Sequence, residues 1–127
     1  MFQPKTAFSG YSVNDLTKAK QFYTQTLGLQ VTEEGAGLII HLPNGGTVLT
    51  YPKNDHQPAS FTILNFVVEN IDEAVDELIN RGISFERYTG MPQDEKGIMR
   101  GISHNMGPDI AWFKDPAGNI LSILQNP

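Results

Sequence analysis

The chain has 127 residues, of which 39% are hydrophobic and 18% charged, a composition that predicts one folded domain and excludes an extended disordered chain. Its 14 acidic and 9 basic residues give a net charge of −5, and no lysine and arginine cluster is present, so we expect no nucleic-acid partner. The absence of cysteine excludes disulfides, thiolate metal sites and a cysteine nucleophile.

The opening residues carry no targeting signal that we recognise. Residues 1–5 lack the basic and apolar regions of a signal peptide. No stretch approaches the roughly 20 apolar residues that a membrane-spanning helix needs. We therefore expect a cytoplasmic location and no membrane partner.

The first half of the chain predicts a strand followed by a helix. Residues 7–13 have strand character, and Asn14 and Asp15 are typical helix caps. Apolar residues then recur at helical spacing at Leu16, Ala19, Phe22, Tyr23 and Leu27. Gly28 follows where a left-handed residue often ends a helix.

Three further strands are predicted in this half, at residues 30–33, 37–42 and 47–51. Asn44, Gly45 and Gly46 separate the last two strands and favour a tight hairpin. Residues 51–60 are rich in Pro, Asn, Asp and His, and are interpreted as the loop that leads into the second half.

The second half repeats the same order. A strand is predicted at residues 61–68, and Asn70 is a helix cap. Ile71, Ala74, Val75, Leu78 and Ile79 form one apolar helical stripe, and Gly82 ends it. Strands are then predicted at residues 84–88, 97–104, 109–114 and 120–124, with a turn at residues 115–119 between the last two.

Two copies of one strand–helix–strand unit follow from this pattern. We predict a single α+β domain of two βαβββ modules, at about residues 1–57 and 58–127. Each helix has one apolar face, which we expect to pack on one face of a sheet. The other face of the sheet is then free to curve around a ligand.

Three segments resemble a known superfamily. The sequence VNDLTKAKQFY at 13–23, with LGL at 27–29, resembles the opening of vicinal oxygen chelate proteins, the glyoxalase, bleomycin-resistance and extradiol dioxygenase superfamily. VVENIDEA at 67–74 is similar to its second module, and AWFKDPAGNI at 111–120 to its closing hairpin. The similarity covers almost the whole chain.

This resemblance implies a curved, mostly antiparallel eight-stranded sheet around a cavity, with the helices on the outer face. It also implies a homodimer. Metal-dependent members bind a divalent cation through four inward side chains, and the matching positions here are Phe8, Thr50, Ile63 and Ser122. Phenylalanine and isoleucine have no lone pair, and neutral hydroxyls are poor ligands. We therefore predict no metal site and no cofactor.

The hypothesis that follows is a metal-independent small-molecule-binding protein, which sequesters a drug or a metabolite. The alternative is a lyase, isomerase or dioxygenase-type enzyme of the same superfamily, with relocated metal ligands or with His41 or His104 as a general base. A third interpretation is a regulatory protein whose cavity is vestigial. The sequence does not identify the ligand.

Alternation along strands predicts further cavity residues. Asn65 follows from Ile63, and a two-residue hairpin turn places His41 on the face of Thr50, whereas a three-residue loop reverses this. Trp112 is a candidate platform for a flat ligand. His104 lies in the glycine-flanked stretch 101–107, which is interpreted as a loop at the cavity mouth, and Arg100 lies next to this stretch. The competing interpretation is structural: the polar residues Thr50, Asn65 and Ser122 would satisfy one another or backbone groups in a filled core.

Overall fold

The computed structural model describes every residue from Met1 to Pro127, and the chain divides into two compact units, Met1–Pro58 and Ala59–Pro127. Each unit contains one four-stranded sheet and one α-helix. None of the helices has the length and apolar character needed to cross a bilayer.

The first unit follows the predicted order of elements. Its elements are β1 (Ser9–Val13), α1 (Leu16–Gln21), a π-helical segment (Phe22–Thr26), β2 (Gln30–Glu34), β3 (Gly37–His41) and β4 (Thr47–Pro52). The strands lie in the order β1-β4-β3-β2, and β1 runs parallel to β4 while the other two pairs are antiparallel.

The first helix begins as predicted but changes its hydrogen bonding after one and a half turns. Asp15 is the N-cap, and its side chain accepts a hydrogen bond from the Lys18 backbone N–H. After Gln21 the helix widens, and the Leu27 N–H donates to the Phe22 carbonyl at 3.0 Å, five residues back. The widened turn lies where Phe22 and its neighbour Tyr23 are both buried.

The second unit repeats this order with a shorter edge. Its elements are β5 (Thr62–Val67), α2 (Ile71–Asn80), β6 (Met99–Arg100), a short 3₁₀ helix (Ile102–His104), β7 (Asp109–Lys114) and β8 (Ile120–Gln125). The strand order is β5-β8-β7-β6, with β5 parallel to β8. Asn70 caps α2 by accepting from the Glu73 N–H, and Ile71 and Val75 are fully buried.

Two predicted strands of this unit are wrong or shortened. Residues 84–88 form no regular strand, although the Glu86 N–H donates to the Trp112 carbonyl at 2.8 Å. The strand predicted at 97–104 is reduced to Met99–Arg100, because the chain turns sharply at Gly101 into the 3₁₀ helix. Phe85 of the first segment meets Phe113 of β7 edge to face, with ring centroids 5.7 Å apart.

The predicted fold class is confirmed. The chain is an α+β protein of two βαβββ-like modules, and four of its six strand pairs are antiparallel. The eight strands are divided between two mixed four-stranded sheets, one in each unit.

Candidate functional site

The hairpin between β3 and β4 decides which side chains share a face of the first sheet. His41 pairs with Thr47, and the Leu42 N–H donates to the carbonyl at the far end of a three-residue loop, at 2.9 Å. Gly45 closes this loop with a φ of 91°, the left-handed residue that such loops require. A three-residue loop reverses the alternation, so the prediction that His41 and Thr50 share a face is wrong.

Thr50 lies on the face that packs against the helical segment. Its neighbours on that face are also buried: Leu38, Ile40 and Val48. Tyr11 pairs with Thr50 in the parallel ladder, and its hydroxyl donates to the Tyr23 hydroxyl at 2.7 Å. Phe8 is 62% exposed, and alternation from β1 places it on the opposite face. The structure therefore does not bring Phe8 and Thr50 together.

The Thr50 hydroxyl is fully buried and has no hydrogen-bond partner. We expect Thr50→Val, which keeps the shape of the side chain, to raise the free energy of unfolding by about 1 kcal/mol, because the buried polar atom is removed. Urea unfolding measures the change. Thr47→Val is the matched control on the same strand, and because Thr47 is only half-buried we expect a smaller effect. Equal effects of both changes would contradict the assignment.

A polar pocket of about 390 Å³ lies in the first unit. Its lining residues are Ser12, Tyr51, Lys53, Asp55 and Gln57. Beside it the Ser12 Oγ lies 2.6 Å from the His56 Nδ1. The two residues are 44 positions apart in the chain, so no local pattern in the sequence predicts this pair.

In the second unit, Asn65, Ser122 and Trp112 lie side by side on three neighbouring strands. Asn65 pairs with Ser122 across the parallel ladder, and Ser122 pairs with Trp112 across the antiparallel one. The Ser122 hydroxyl donates to the Asn65 Oδ1 at 2.5 Å and is itself fully buried. The candidates Asn65 and Ser122 are therefore hydrogen-bonded to each other. Trp112, whose orientation the sequence left open, lies on the same face of the sheet as Ser122.

Ile63 lies in a β-bulge of β5. Thr62 pairs with Ile120 while Leu64 pairs with Leu121, so Ile63 is the extra residue and has no partner in the register. Its facing therefore does not follow from the alternation that places Asn65. The bulge also brings the Thr62 hydroxyl to the Trp112 Nε1–H, which donates to it at 3.1 Å.

An apolar pocket of about 300 Å³ lies next to this bulge. Its lining residues are Ser60, Phe61, Thr62, Tyr88, Met91, Trp112 and Ile120. The rings of Tyr88 and Trp112 meet edge to face, with centroids 5.6 Å apart. No charged side chain lines the pocket, and two aromatic rings in contact form part of its wall.

Tyr88 is held beside Trp112 by Gln93. The Gln93 Oε1 accepts the Tyr88 backbone N–H at 2.9 Å, while its Nε2 donates to the Glu86 carbonyl at 2.9 Å. The Tyr88 hydroxyl oxygen is buried and has no partner. Burial raises the pKa of this phenol, and the nearby Glu86 carboxylate adds to the effect, so the hydroxyl keeps its proton near neutral pH.

Arg100 and His104 are not among the lining residues of either pocket. The Arg100 guanidinium donates to both oxygens of Asp72, at 2.8 and 3.0 Å, and to Asp94 at 2.9 Å. The His104 ring is exposed, and its Nδ1 lies 2.9 Å from the Arg100 carbonyl. His41 contacts Thr32 instead, with 3.0 Å between its Nε2 and the hydroxyl.

The sequence analysis missed most of the residues that line the second pocket. Phe61, Thr62, Tyr88 and Met91 fell in predicted strands or loops and carried no motif. Trp112 is the predicted site residue that the structure does place in this wall.

The comparisons with known proteins agree with this architecture. The model of the Glyoxalase/Bleomycin resistance protein/Dioxygenase superfamily matches residues 7–123. The chain belongs to this superfamily. No curated protein matches the chain.

Solved structures similar to this superfamily member cover nearly all of it. A protein assigned to the glyoxalase family from Bacillus anthracis is 20% identical, with 100% of both chains covered and a TM-score of 0.69. TnmS3, an antibiotic binding protein from Streptomyces sp. CB03234, is 20% identical, with 99% and 100% covered and a TM-score of 0.67. A glyoxalase family protein from Enterococcus faecalis is 21% identical, with 98% and 99% covered and a TM-score of 0.68. At these identities the likeness shows the fold alone.

In this superfamily member, no group of three or more acidic or histidine side chains is placed to hold a metal ion. Among the four positions that resemble the superfamily's metal ligands, Thr50 lies on the helix-packed face. The residues beside it, Leu49 and Tyr51, lie on the face that alternation gives to Phe8.

Proposed function

We propose that the chain binds a small, largely apolar aromatic molecule in the pocket of the second unit, and that it does so without a metal ion. The observation that carries this proposal is the contact of Trp112 with Tyr88 in the wall of an uncharged pocket of about 300 Å³. Small-molecule sites are typically concave and mostly apolar, with a few polar groups, and this volume lies at the lower end of their range.

Exposed apolar side chains at the pocket support this proposal. Phe61 is 67% exposed and Met91 is 42% exposed, and both line the pocket. Covering such side chains with a ligand removes apolar surface from water, which favours binding. The unbranched thioether of Met91 adapts to ligands of different outline.

Two further considerations favour binding over metal-assisted chemistry. Phe8 and Ile63 offer no lone pair at positions that resemble metal ligands. The solved relative TnmS3 is an antibiotic binding protein. We carry its role to this chain only as the proposal of ligand sequestration, and the homodimer that the resemblance implies stays a prediction, which light scattering can measure.

The test uses the single tryptophan as the reporter. We expect titration with naphthalene to shift the Trp112 indole N–H resonance in a ¹H–¹⁵N NMR spectrum and to saturate at one equivalent. Met91→Ala is expected to weaken binding about threefold to tenfold, since it removes part of the apolar wall. Met106→Ala is the matched control, because Met106 is 80% exposed and does not line the pocket. No saturable shift of the resonance would refute the proposed site.

A second candidate function is enzymatic, and the Ser12–His56 pair favours it. The 2.6 Å contact places a histidine next to a hydroxyl at the edge of the polar pocket of the first unit, where His56 would act as a general base. Incubation with the hemithioacetal of methylglyoxal and glutathione, with and without added Zn²⁺ or Ni²⁺, tests this. Product that forms with the native chain but not with His56→Gln would favour the enzymatic function. If the native chain forms no product, glyoxalase activity is excluded.

A further inference from the structure

Apart from the Trp112 indole N–H, the polar side-chain groups in the wall of the apolar pocket are hydroxyls. They belong to Ser60, Thr62 and Tyr88. The Trp112 indole N–H, the other polar group in the wall, is already donated to the Thr62 Oγ1 at 3.1 Å. The hydrogen-bond donors that remain for a ligand are therefore the hydroxyl protons.

The Thr62 hydroxyl can still donate a hydrogen bond. Its oxygen accepts from Trp112, and this is the one hydrogen bond in which the Thr62 side chain takes part. A hydroxyl donates one hydrogen bond as well as accepting, so the Thr62 proton is available. Ser60 is exposed at the rim of the pocket and makes no hydrogen bond within the chain that would use its proton.

Tyr88 is the buried member of this set. Its hydroxyl oxygen is shielded and makes no hydrogen bond, and an unpartnered buried polar group is costly. A phenol that keeps its proton is a donor first, so it is best matched by an acceptor atom. Gln93 fixes the backbone of Tyr88, which keeps the ring in the wall.

The lack of charged side chains in the wall restricts the class of ligand further. The ion pair of Glu86 and Lys114, whose charged atoms are 3.4 Å apart, lines no part of the pocket. A charged ligand would lose its hydration without gaining a counter-ion. A ligand rich in donors would depend on the hydroxyl oxygens, of which that of Thr62 already accepts from Trp112.

We propose that the ligand is a neutral, flat aromatic compound that carries a hydrogen-bond acceptor, a carbonyl oxygen or a ring nitrogen, received by the Thr62 hydroxyl and by the shielded Tyr88 hydroxyl once a small shift of the Tyr88 ring exposes it. This inference rests on the proposed function, because it concerns the same pocket. It adds the chemical class: an uncharged acceptor, rather than an acid, an amine or a pure hydrocarbon.

The test compares naphthalene with quinoline, which has the same shape but carries one ring nitrogen, through the Trp112 indole resonance. Tyr88→Phe and Thr62→Val each remove one hydroxyl with little change of shape. We expect at least one of them to weaken quinoline about threefold to tenfold, as the loss of one net hydrogen bond does, and to leave naphthalene within about twofold. Ser103→Ala, which removes a hydroxyl outside the pocket, is expected to change neither. 2-Naphthoate, the anionic probe, is expected to bind about tenfold more weakly than naphthalene.

The outcomes separate the two proposals. If naphthalene binds but both variants weaken naphthalene and quinoline equally, or change neither, the pocket stands and the acceptor inference is overturned. Tighter binding of 2-naphthoate than of either neutral probe overturns it too. If no probe binds, both proposals fail. Because Thr62→Val frees the Trp112 N–H, thermal unfolding of each variant and the naphthalene affinity show whether the pocket keeps its shape.

Discussion

Replacing Gly101 with alanine is expected to lower the free energy of unfolding by about 3 kcal/mol, because the added methyl group has no space. A Cβ atom at this position would lie 2.3 Å from the Pro108 carbonyl oxygen and 3.0 Å from that of Gly107. Both atoms belong to the backbone of the turn that leads into β7. Neither can move without disturbing the hydrogen bond from the Ile102 N–H to the Asp109 Oδ1, which is 2.9 Å long.

Gly46→Ala is the matched control for this prediction. Its Cβ would meet the Asn44 Oδ1 at 3.2 Å, the end of a side chain that can rotate away. We expect the control to cost well under about 1 kcal/mol in the same urea titration. If the Gly101 and Gly46 variants unfold at the same denaturant concentration, the close approach at Gly101 does not constrain the fold.

The contrast between Gly101 and the two helix caps shows what the sequence can predict. Asp15 and Asn70 were expected as caps, and both accept the N–H three residues ahead. A cap is a local feature, and its residue type and spacing are visible in a short window. The constraint at Gly101 comes from Pro108 and Gly107, six or seven residues away across a turn, and no local pattern shows it.

Which face of the sheet a side chain lies on was harder to predict than where the strands and helices lie. His41 moved to the other face because one extra loop residue reverses alternation, and the sequence does not fix the loop length at Pro43, Asn44 and Gly45. The bulge at Ile63 has the same effect in the second unit. A one-residue error leaves the strand correct but places its side chains on the wrong face.

The candidate site depends on contacts between distant residues, which explains why most of it was missed. The hydrogen bond from Trp112 to Thr62 joins positions 50 residues apart, and the bond between Ser122 and Asn65 spans 57. Periodicity predicts which residues lie on one strand, but it does not pair strands. Trp112 was found because its residue type alone indicates a binding surface.

Arg100→Met is expected to lower the free energy of unfolding by about 2 kcal/mol at neutral pH, since it removes the cation that lies beside the partly buried carboxylates of Asp94 and Asp109. Arg100 donates to Asp72 and Asp94 and lies 3.7 Å from a carboxylate oxygen of Asp109. The Asp109 side chain is 12% exposed and that of Asp94 is 20% exposed, so water compensates them poorly. Urea unfolding measures the loss.

The loss of stability caused by Arg100→Met depends on pH in a defined direction. Hydrogen bonds from Arg100 lower the pKa of Asp72. Burial alone would raise the pKa of Asp94, but hydrogen bonds from the Ile98 N–H, Arg100 and the Lys96 N–H outweigh it and hold this pKa below its ordinary value. A lowered pKa in the folded chain contributes stability that is present above the unfolded-state pKa and is lost as the pH falls through the folded-state pKa.

The difference between the native chain and Arg100→Met is therefore expected to be full above about pH 5 and to shrink below about pH 4, where the unfolded aspartates become protonated. Arg81→Met is the control. Arg81 forms an exposed i,i+4 ion pair with Glu77, which is worth about 0.5 kcal/mol or less. If Arg100→Met were as mild as this control but weakened ligand binding, Arg100 would belong to the site, as its charge suggested in the sequence. A loss of stability with unchanged affinity for naphthalene assigns it to holding α2 and β6 together.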